Sequence, residues 1–217
     1  MNRILIAYAS HSGSTQEVAS FLGKCLSAQN LDVDVKPMKE VFDLSSYDFI
    51  IAGGLLYRFG WHPEIIRFLQ SNLTVLKQKK VALFVTGLRL IKTPDCDRAG
   101  YPVYVDLAIQ KPVTGGANAR QQKGLLDGYT TMKGYLQAAL PTIESIRPVS
   151  LAFFAGKLDL HTLALPEKLI MMLLMLLTGK KPGDSRNWDA IGAWVDGLNL
   201  VPSFVDSRVN ILASESA

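Results

Sequence analysis

Residues 4–15 read Ile4-Leu5-Ile6-Ala7-Tyr8-Ala9-Ser10-His11-Ser12-Gly13-Ser14-Thr15, an apolar run that ends in hydroxyl side chains around one glycine. Apolar residues then recur at helical spacing, namely Val18, Phe21, Leu22, Cys25 and Leu26. A strand, a hydroxyl-rich turn and a helix start suit phosphate, because backbone N–H groups, hydroxyls and the positive end of the helix dipole meet there. The stretch predicts a phosphate-binding loop, with an ordinary helix cap as the alternative.

The loop differs from two common nucleotide-binding motifs. It lacks the Gly-Lys-Ser/Thr that closes a Walker loop, and it has one glycine where the dinucleotide fingerprint has three. Its spacing, Ser10-x-Ser12-Gly13-Ser14-Thr15, resembles the Ser/Thr-x-Thr-Gly-x-Thr loop of flavodoxins, which surrounds the phosphate of flavin mononucleotide (FMN). The resemblance implies FMN as the cofactor. Flavin adenine dinucleotide (FAD) is not expected, since the sequence offers no second site for an adenosine half.

The composition indicates a folded protein with a sizeable core. The chain has 217 residues, of which 48% are apolar and 19% charged, and its net charge of +4 comes without the basic stripe typical of nucleic-acid binding. Cys25 lies on an apolar helix stripe and is expected in the core, whereas Cys96 lies in a polar stretch and could be an exposed thiol. The three histidines lack metal-ligand spacing. No signal peptide is recognisable, so a cytoplasmic location is expected.

Strand and helix patterns alternate along the chain. Strands are expected at 2–9, 31–36, 47–54, 81–86 and 149–155, and helices at 13–28, 63–77, 120–140, 165–178 and 186–198. This order predicts a flavodoxin-like α/β fold, a doubly wound five-stranded parallel sheet with helices on both faces.

Two features complicate this simple pattern. A long insertion, about 88–120, precedes the fifth strand and contains a short strand candidate at Pro102–Val105, and Pro141 is expected to end the helix before that strand. Residues 1–200 are assigned to one domain and 201–217 to a C-terminal tail.

A second resemblance narrows the family. Residues 51–62 read Ile51-Ala52-Gly53-Gly54-Leu55-Leu56-Tyr57-Arg58-Phe59-Gly60-Trp61-His62, and a Met- and Leu-rich run at Leu169–Leu177 precedes Thr178-Gly179 and Asn187-Trp188-Asp189. Together they are similar to the flavodoxin-domain family that includes the bacterial menaquinone-dependent protoporphyrinogen oxidases. The Met-rich helix is expected either in the core or as a surface for a quinone, a partner or a membrane.

The resemblance implies the site residues. The phosphate would be held by Ser10, Ser12, Gly13, Ser14 and Thr15, with His11 as a further donor or a solvated loop residue. One wall of the flavin-ring site would comprise Gly53, Gly54, Leu56, Tyr57, Arg58 and Phe59, and the other Thr86, Gly87 and Leu88. The N–H groups of Gly54 and Gly87 could bond to the edge of the ring, and Tyr57, Phe59 and Trp61 could stack on it or simply pack the loop.

Arg58 is the catalytic candidate. Its guanidinium could stabilise the anionic reduced flavin or bind a substrate carboxylate, and the alternative is a surface charge that pairs with Glu64.

The expected function is that of an FMN-dependent oxidoreductase. Electrons or hydride would pass between the flavin and a small apolar substrate or acceptor, such as a quinone or a tetrapyrrole. The alternatives are a flavodoxin-type electron carrier that meets only a redox protein partner, and a flavin-free interaction module. Basic charge and the long insertion favour the enzyme, because carrier flavodoxins are acidic as a family. Peripheral membrane contact is a further expectation, and the insertion could either cover the flavin or form the contact of a homodimer.

Overall fold

The structure is a computed structural model that describes residues 3–57, 60–88, 90, 94–110, 131–158, 168 and 183–200. Arg58 and Phe59, the glycine-rich half of the insertion, almost all of the expected Met-rich helix and the tail after residue 200 lie outside these residues. Within the described ranges, every helix is too short or too polar to cross a lipid bilayer.

The fold is built on a parallel sheet. Its strands are β1 (Arg3–Ala9), β2 (Asp32–Pro37), β3 (Phe49–Tyr57), β4 (Gly60–Trp61), β5 (Lys80–Gly87), β6 (Val103–Val105) and β7 (Ser150–Ala155). The main order is β2-β1-β3-β5-β7-β6, and β4 pairs antiparallel with the end of β3. The five parallel strands expected from the sequence are therefore confirmed. The described residues add two short strands, β4 in the loop after β3 and β6 from the insertion, which pairs parallel with β7.

Helices connect the strands and cover both faces of the sheet. They are α1 (Ser14–Ser27), α2 (Pro63–Ser71), α3 (Leu73–Leu76), α4 (Pro94–Asp97), α5 (Met132–Leu136), α6 (Leu140–Ile146) and α7 (Trp188–Asp196), with a 3₁₀ turn at Met38–Glu40. A small antiparallel pair, β8 (Lys157–Leu158) and β9 (Gly183–Asp184), lies off the main sheet.

Alternation along the strands divides the core into two clusters. In β1, Leu5 and Ala7 pack on one face with α2, whereas Ile4 and Ile6 pack on the other with α1 and α7. All four side chains are fully buried. Burying a side chain of the size of Leu or Ile contributes about 1.5–3 kcal/mol. Coverage of both faces explains why the strands read as continuous apolar runs.

Three expectations about helices are wrong. The helix expected at 120–140 is not continuous in its described part, because Thr131 is the extended N-cap of α5, and α5 ends at Leu136 before α6 begins at Leu140. The helix expected at 63–77 breaks at Asn72, whose side-chain amide donates to the carbonyl of Phe68 at 2.9 Å and whose backbone is not helical. Pro141 does not end a helix but lies in the first turn of α6. A first-turn residue needs no partner for its N–H group, so proline is tolerated there.

The cysteines differ from expectation as well. The Cys96 residue is only 3% exposed and packs in the core cluster beside α2, so the expected exposed thiol is wrong. Cys25 is half-buried against the α1 face of the sheet. Burial raises the pKa of the Cys25 thiol above its usual range, and the charge of Asp196 adds to this. A low-pKa, nucleophilic cysteine is therefore not expected at position 25.

Candidate functional site

The turn between β1 and α1 has the geometry of an anion site. Gly13 adopts a left-handed backbone conformation with φ of +84°, and its N–H donates to Ser10 Oγ at 3.1 Å. The Glu17 N–H donates to the Gly13 carbonyl at 3.0 Å as the helix begins. The N–H groups of the three residues between them therefore have no acceptor within the helix, at its positive end.

The donor set suits a phosphate ester. His11 and Ser12 are exposed on the turn, and no residue from 10 to 15 carries an acidic side chain. A Cβ added at Gly13 would meet no atom within 4 Å, so glycine is required there by its backbone angle and not by crowding. The turn expected from the sequence is thus present, with its first-turn N–H groups beside an exposed hydroxyl.

Thr15 contributes differently from the other hydroxyl residues. Its side chain is buried, and its hydroxyl lies 3.0 Å from that of Thr86 near the carboxyl end of β5. The hydroxyl is therefore directed into the protein, and the N–H group of Thr15 is the part that lies in the first turn of α1. The pair links the turn to β5, the strand expected to provide the Thr86–Leu88 wall of the ring site.

The chain after β3 forms a tight hairpin, in which Leu56 pairs with Trp61 and Tyr57 with Gly60. Trp61 is 2% exposed, and its indole N–H donates to the Gly54 carbonyl at 3.2 Å. Its interpretation as a stacking residue is therefore wrong, since its ring supports the hairpin from inside. Tyr57 remains half-exposed at the carboxyl edge of the sheet.

Packing of the protein itself explains two of the glycines assigned to the ring site. A Cβ at Gly53 would lie 2.2 Å from the Phe84 ring, and one at Gly87 would lie 2.5 Å from Leu56 Cδ1. Gly53 has no room for a larger residue even without a ligand, and at Gly87 the Leu56 side chain would first have to move. Close approach of a ligand is therefore not needed to account for these glycines. Leu88, half-buried, follows directly at the end of β5.

A cluster of three rings connects the turn Ser10–Thr15 to the hairpin after β3. The Tyr57 ring centroid is 6.0 Å from that of His11 and 5.7 Å from that of His62. His62 caps α2, because its Nδ1 accepts the Glu64 N–H at 3.3 Å. Burial lowers the pKa of His62, and the charges of His11 and Arg67 act in the same direction. Sequence reasoning gave His62 no role, although a polar residue directly before Pro63 is a recognisable cap signal.

Arg186 also contacts the turn Ser10–Thr15 and the start of α1. Its guanidinium donates to Glu17 Oε2 at 2.7 Å, to Asp184 Oδ2 at 2.6 Å and to the Ser14 carbonyl at 3.3 Å. The hydrogen bonds from Arg186 lower the pKa of the Asp184 carboxyl, so that pair is ionised at neutral pH. Sequence reasoning missed Arg186, because no local spacing links it to a loop 169 to 172 positions earlier.

Family comparison agrees with this geometry. Residues 5–185 match the sequence model of a family described as the flavodoxin domain. No curated protein is significantly similar to the chain.

Among solved structures, flavodoxin 2 from Bacillus cereus is 34% identical over 40% of this chain and 62% of its own, with a TM-score of 0.34. Two-electron reduced flavodoxin from Megasphaera elsdenii is 17% identical over 69% of this chain and 84% of its own, with a TM-score of 0.44. The K13G flavodoxin of Fusobacterium nucleatum, bound to flavin mononucleotide, is 22% identical over 41% of this chain and 52% of its own, with a TM-score of 0.32. The chain thus spans less than two thirds of the length of two of these three proteins.

Proposed function

Because the chain belongs to the flavodoxin domain family, we propose that it binds FMN with the phosphate on the turn Ser10–Thr15. The observation that carries the proposal is the start of α1, where first-turn N–H groups without helical acceptors adjoin the exposed Ser12 and the left-handed Gly13. The hydroxyl of Ser12 and the N–H groups of Ser14 and Thr15 would hold the phosphate.

The ring of the flavin would lie between the ends of two neighbouring strands. β3 and β5 pair in register from Phe49 to Leu55, so Tyr57 and Leu88 follow at the same edge of the sheet. Tyr57 offers an aromatic face and Leu88 an apolar one, and both can exclude water from a flat ligand. Arg58 and Phe59 remain sequence-based members of this wall. Bound flavin would supply one- and two-electron redox chemistry, while the chain supplies grip and orientation.

We infer that the protein is an FMN-dependent oxidoreductase that exchanges electrons or hydride with an apolar partner, such as a quinone or a tetrapyrrole. The net charge of +4 supports an enzyme over an acidic electron carrier. The insertion that contributes β6 supports it too, since a long insertion beside a cofactor site is commonly functional. The protoporphyrinogen oxidase branch stays a prediction from residues 51–62 and 167–189.

An electron carrier is the second candidate, and the family match itself favours it. A carrier would exchange electrons with a redox protein and have no substrate of its own. Homodimer formation, peripheral membrane contact and a cytoplasmic location remain predictions from the sequence.

The absorption spectrum of the purified protein, followed by mass spectrometry of the released cofactor, tests the proposal. FMN is the expected species. FAD as the main species would contradict the assignment to FMN, and failure to take up any flavin on reconstitution would leave only the interaction module. Turnover of a quinone by the flavin-loaded protein is expected for the enzyme. Electron exchange with a redox protein alone would identify a carrier.

A further inference from the structure

We propose that Arg186 is a positioning residue that gives the turn Ser10–Thr15 its affinity for the phosphate of the cofactor. The proposal rests on the proposed binding of FMN. It concerns a residue that touches the turn from the far end of the sequence and that the phosphate motif does not include.

The forked side chain of Arg186 joins two separate parts of the chain. Two of its nitrogens bind the Asp184 carboxylate at 2.8 and 2.6 Å, and its Nη2 also donates to Glu17 at 2.7 Å. Its Nη1 donates to the Ser14 carbonyl at 3.3 Å. The Arg186 side chain is only 3% exposed, whereas the carboxylates that it binds, Glu17 and Asp184, are 50% and 42% exposed. The first turn of α1 is thereby fixed relative to residues 183–186.

The segment that carries Arg186 is itself held in place. Asp184 pairs with Lys157 in the β8–β9 ladder, and the Ser185 N–H donates to the Gly156 carbonyl at 3.3 Å. The guanidinium lies over the Trp188 ring, with its carbon 4.5 Å from the ring centroid. With these hydrogen bonds and the ring contact, the Arg186 side chain has little conformational freedom left. It can therefore hold the adjacent turn in one position.

The charge of Arg186 matters as much as its contacts. Glu17 lies in the first turn of α1, where its carboxylate would repel a phosphate bound at the same helix end. Arg186 at 2.7 Å offsets that charge, and Lys157 approaches it at 3.9 Å. Asp184 adds a second carboxylate that Arg186 also offsets. Without Arg186, Lys157 would be the cation that remains beside both carboxylates among the described residues.

Arg186 would act in two ways, by anchoring the turn and by offsetting the charge of nearby carboxylates. Both predict a change in ligand preference that a general role in folding does not. Riboflavin has the same ring and ribityl chain as FMN but no phosphate. A residue that tunes the phosphate turn changes the affinity for FMN and leaves the affinity for riboflavin alone. A residue that only stabilises the fold weakens both.

The experiment measures FMN and riboflavin affinity by flavin fluorescence quenching on flavin-stripped full-length protein. R186M is expected to weaken FMN binding by roughly tenfold with riboflavin affinity unchanged, the scale of one uncompensated charge near a bound phosphate. E17Q in the R186M background should restore part of the loss, because it removes one of the two carboxylates. K157M, which removes the more distant cation, is the matched control and should change the FMN affinity several-fold less.

An FMN-to-riboflavin affinity ratio in R186M equal to that of the wild type would overturn the proposal. If R186M does not fold, R186K carries the test. It keeps the charge but cannot bind Asp184 and Glu17 through one planar fork, so a smaller fall in the ratio is expected and an unchanged ratio again overturns the proposal. A wild-type protein that binds neither flavin would contradict the proposed function itself, which is a different result.

Discussion

The hydroxyl oxygens of Thr15 and Thr86 lie 3.0 Å apart, and both side chains are buried. Thr15 belongs to the first turn of α1, and Thr86 lies near the end of β5, with β3 between β5 and β1 in the sheet. The hydrogen bond therefore connects the phosphate turn to the strand expected to support the far side of the flavin ring. Its strength is measurable without any ligand.

T86V should destabilise the protein by about 1–3 kcal/mol, because it leaves the buried Thr15 hydroxyl without its partner. The double variant T15V/T86V should recover much of that loss, since both polar groups are then gone. Urea denaturation measures both effects, and T74V on the exposed side of α3 is the control. Additive losses in the double variant would show that the two hydroxyls do not act as a pair.

S12D should abolish retention of FMN, because it places a carboxylate where the phosphate is expected, at a like-charge cost of several kcal/mol. Cofactor content after purification is the measurement. S46D adds the same charge to an exposed serine before β3, at the opposite edge of the sheet, and should keep its flavin. Full flavin occupancy in S12D would reduce the turn to an ordinary helix cap.

The stability of the protein should fall as the pH drops below about 6.5, and His62 contributes to this. Its pKa is below the ordinary value of 6.5 in the folded protein, mainly through burial, although Glu64 opposes the shift. The unfolded chain therefore takes up a proton first, so the contribution is complete above pH 6.5 and declines until the folded pKa is reached. H62N keeps a capping side chain but cannot titrate. Its melting temperature should depend less on pH between 5 and 8 than that of the wild type, and parallel curves would contradict the assignment.

R58A should lower turnover by about 10- to 100-fold while FMN stays bound, the scale of losing one charge-assisted hydrogen bond. R58K should recover only part of the activity, because lysine lacks the planar fork. R67A removes an exposed arginine from the following helix and is the control. If R58A leaves turnover and midpoint potential unchanged, Arg58 is a surface charge, and the electron carrier becomes the favoured function.

Local patterns predicted the parts of the fold that depend on local physics. The run Ile4–Ala9 reads as a strand because both of its faces are buried, and the glycine among hydroxyls marks the turn because the backbone there adopts φ of +84°. The short strand β6 is predictable from its β-branched residues after a proline, although its three residues are only half-buried.

Contacts between distant segments were not predictable in this way. Nothing in the spacing around Arg186 indicates that it reaches Glu17, because the contact exists only after the sheet has formed. Pro141 was misinterpreted because proline both ends helices and begins them, and only the next helix distinguishes the cases. The polar neighbours of Cys96 suggest an exposed thiol, although the residue itself is buried in the core.

The short strand β6 has a consequence for how the insertion can change over evolution. It covers the outer edge of β7, where Val103, Tyr104 and Val105 pair with Leu151, Ala152 and Phe153. All six residues of β7 are buried. Deleting β6 would expose this apolar strand at the edge of the sheet, where its unpaired N–H and C=O groups could pair with a strand of another chain. Trimming the insertion to a minimal five-stranded fold should therefore produce protein that self-associates and precipitates. The part of the insertion that forms β6 is thus constrained by solubility as well as by any role in function.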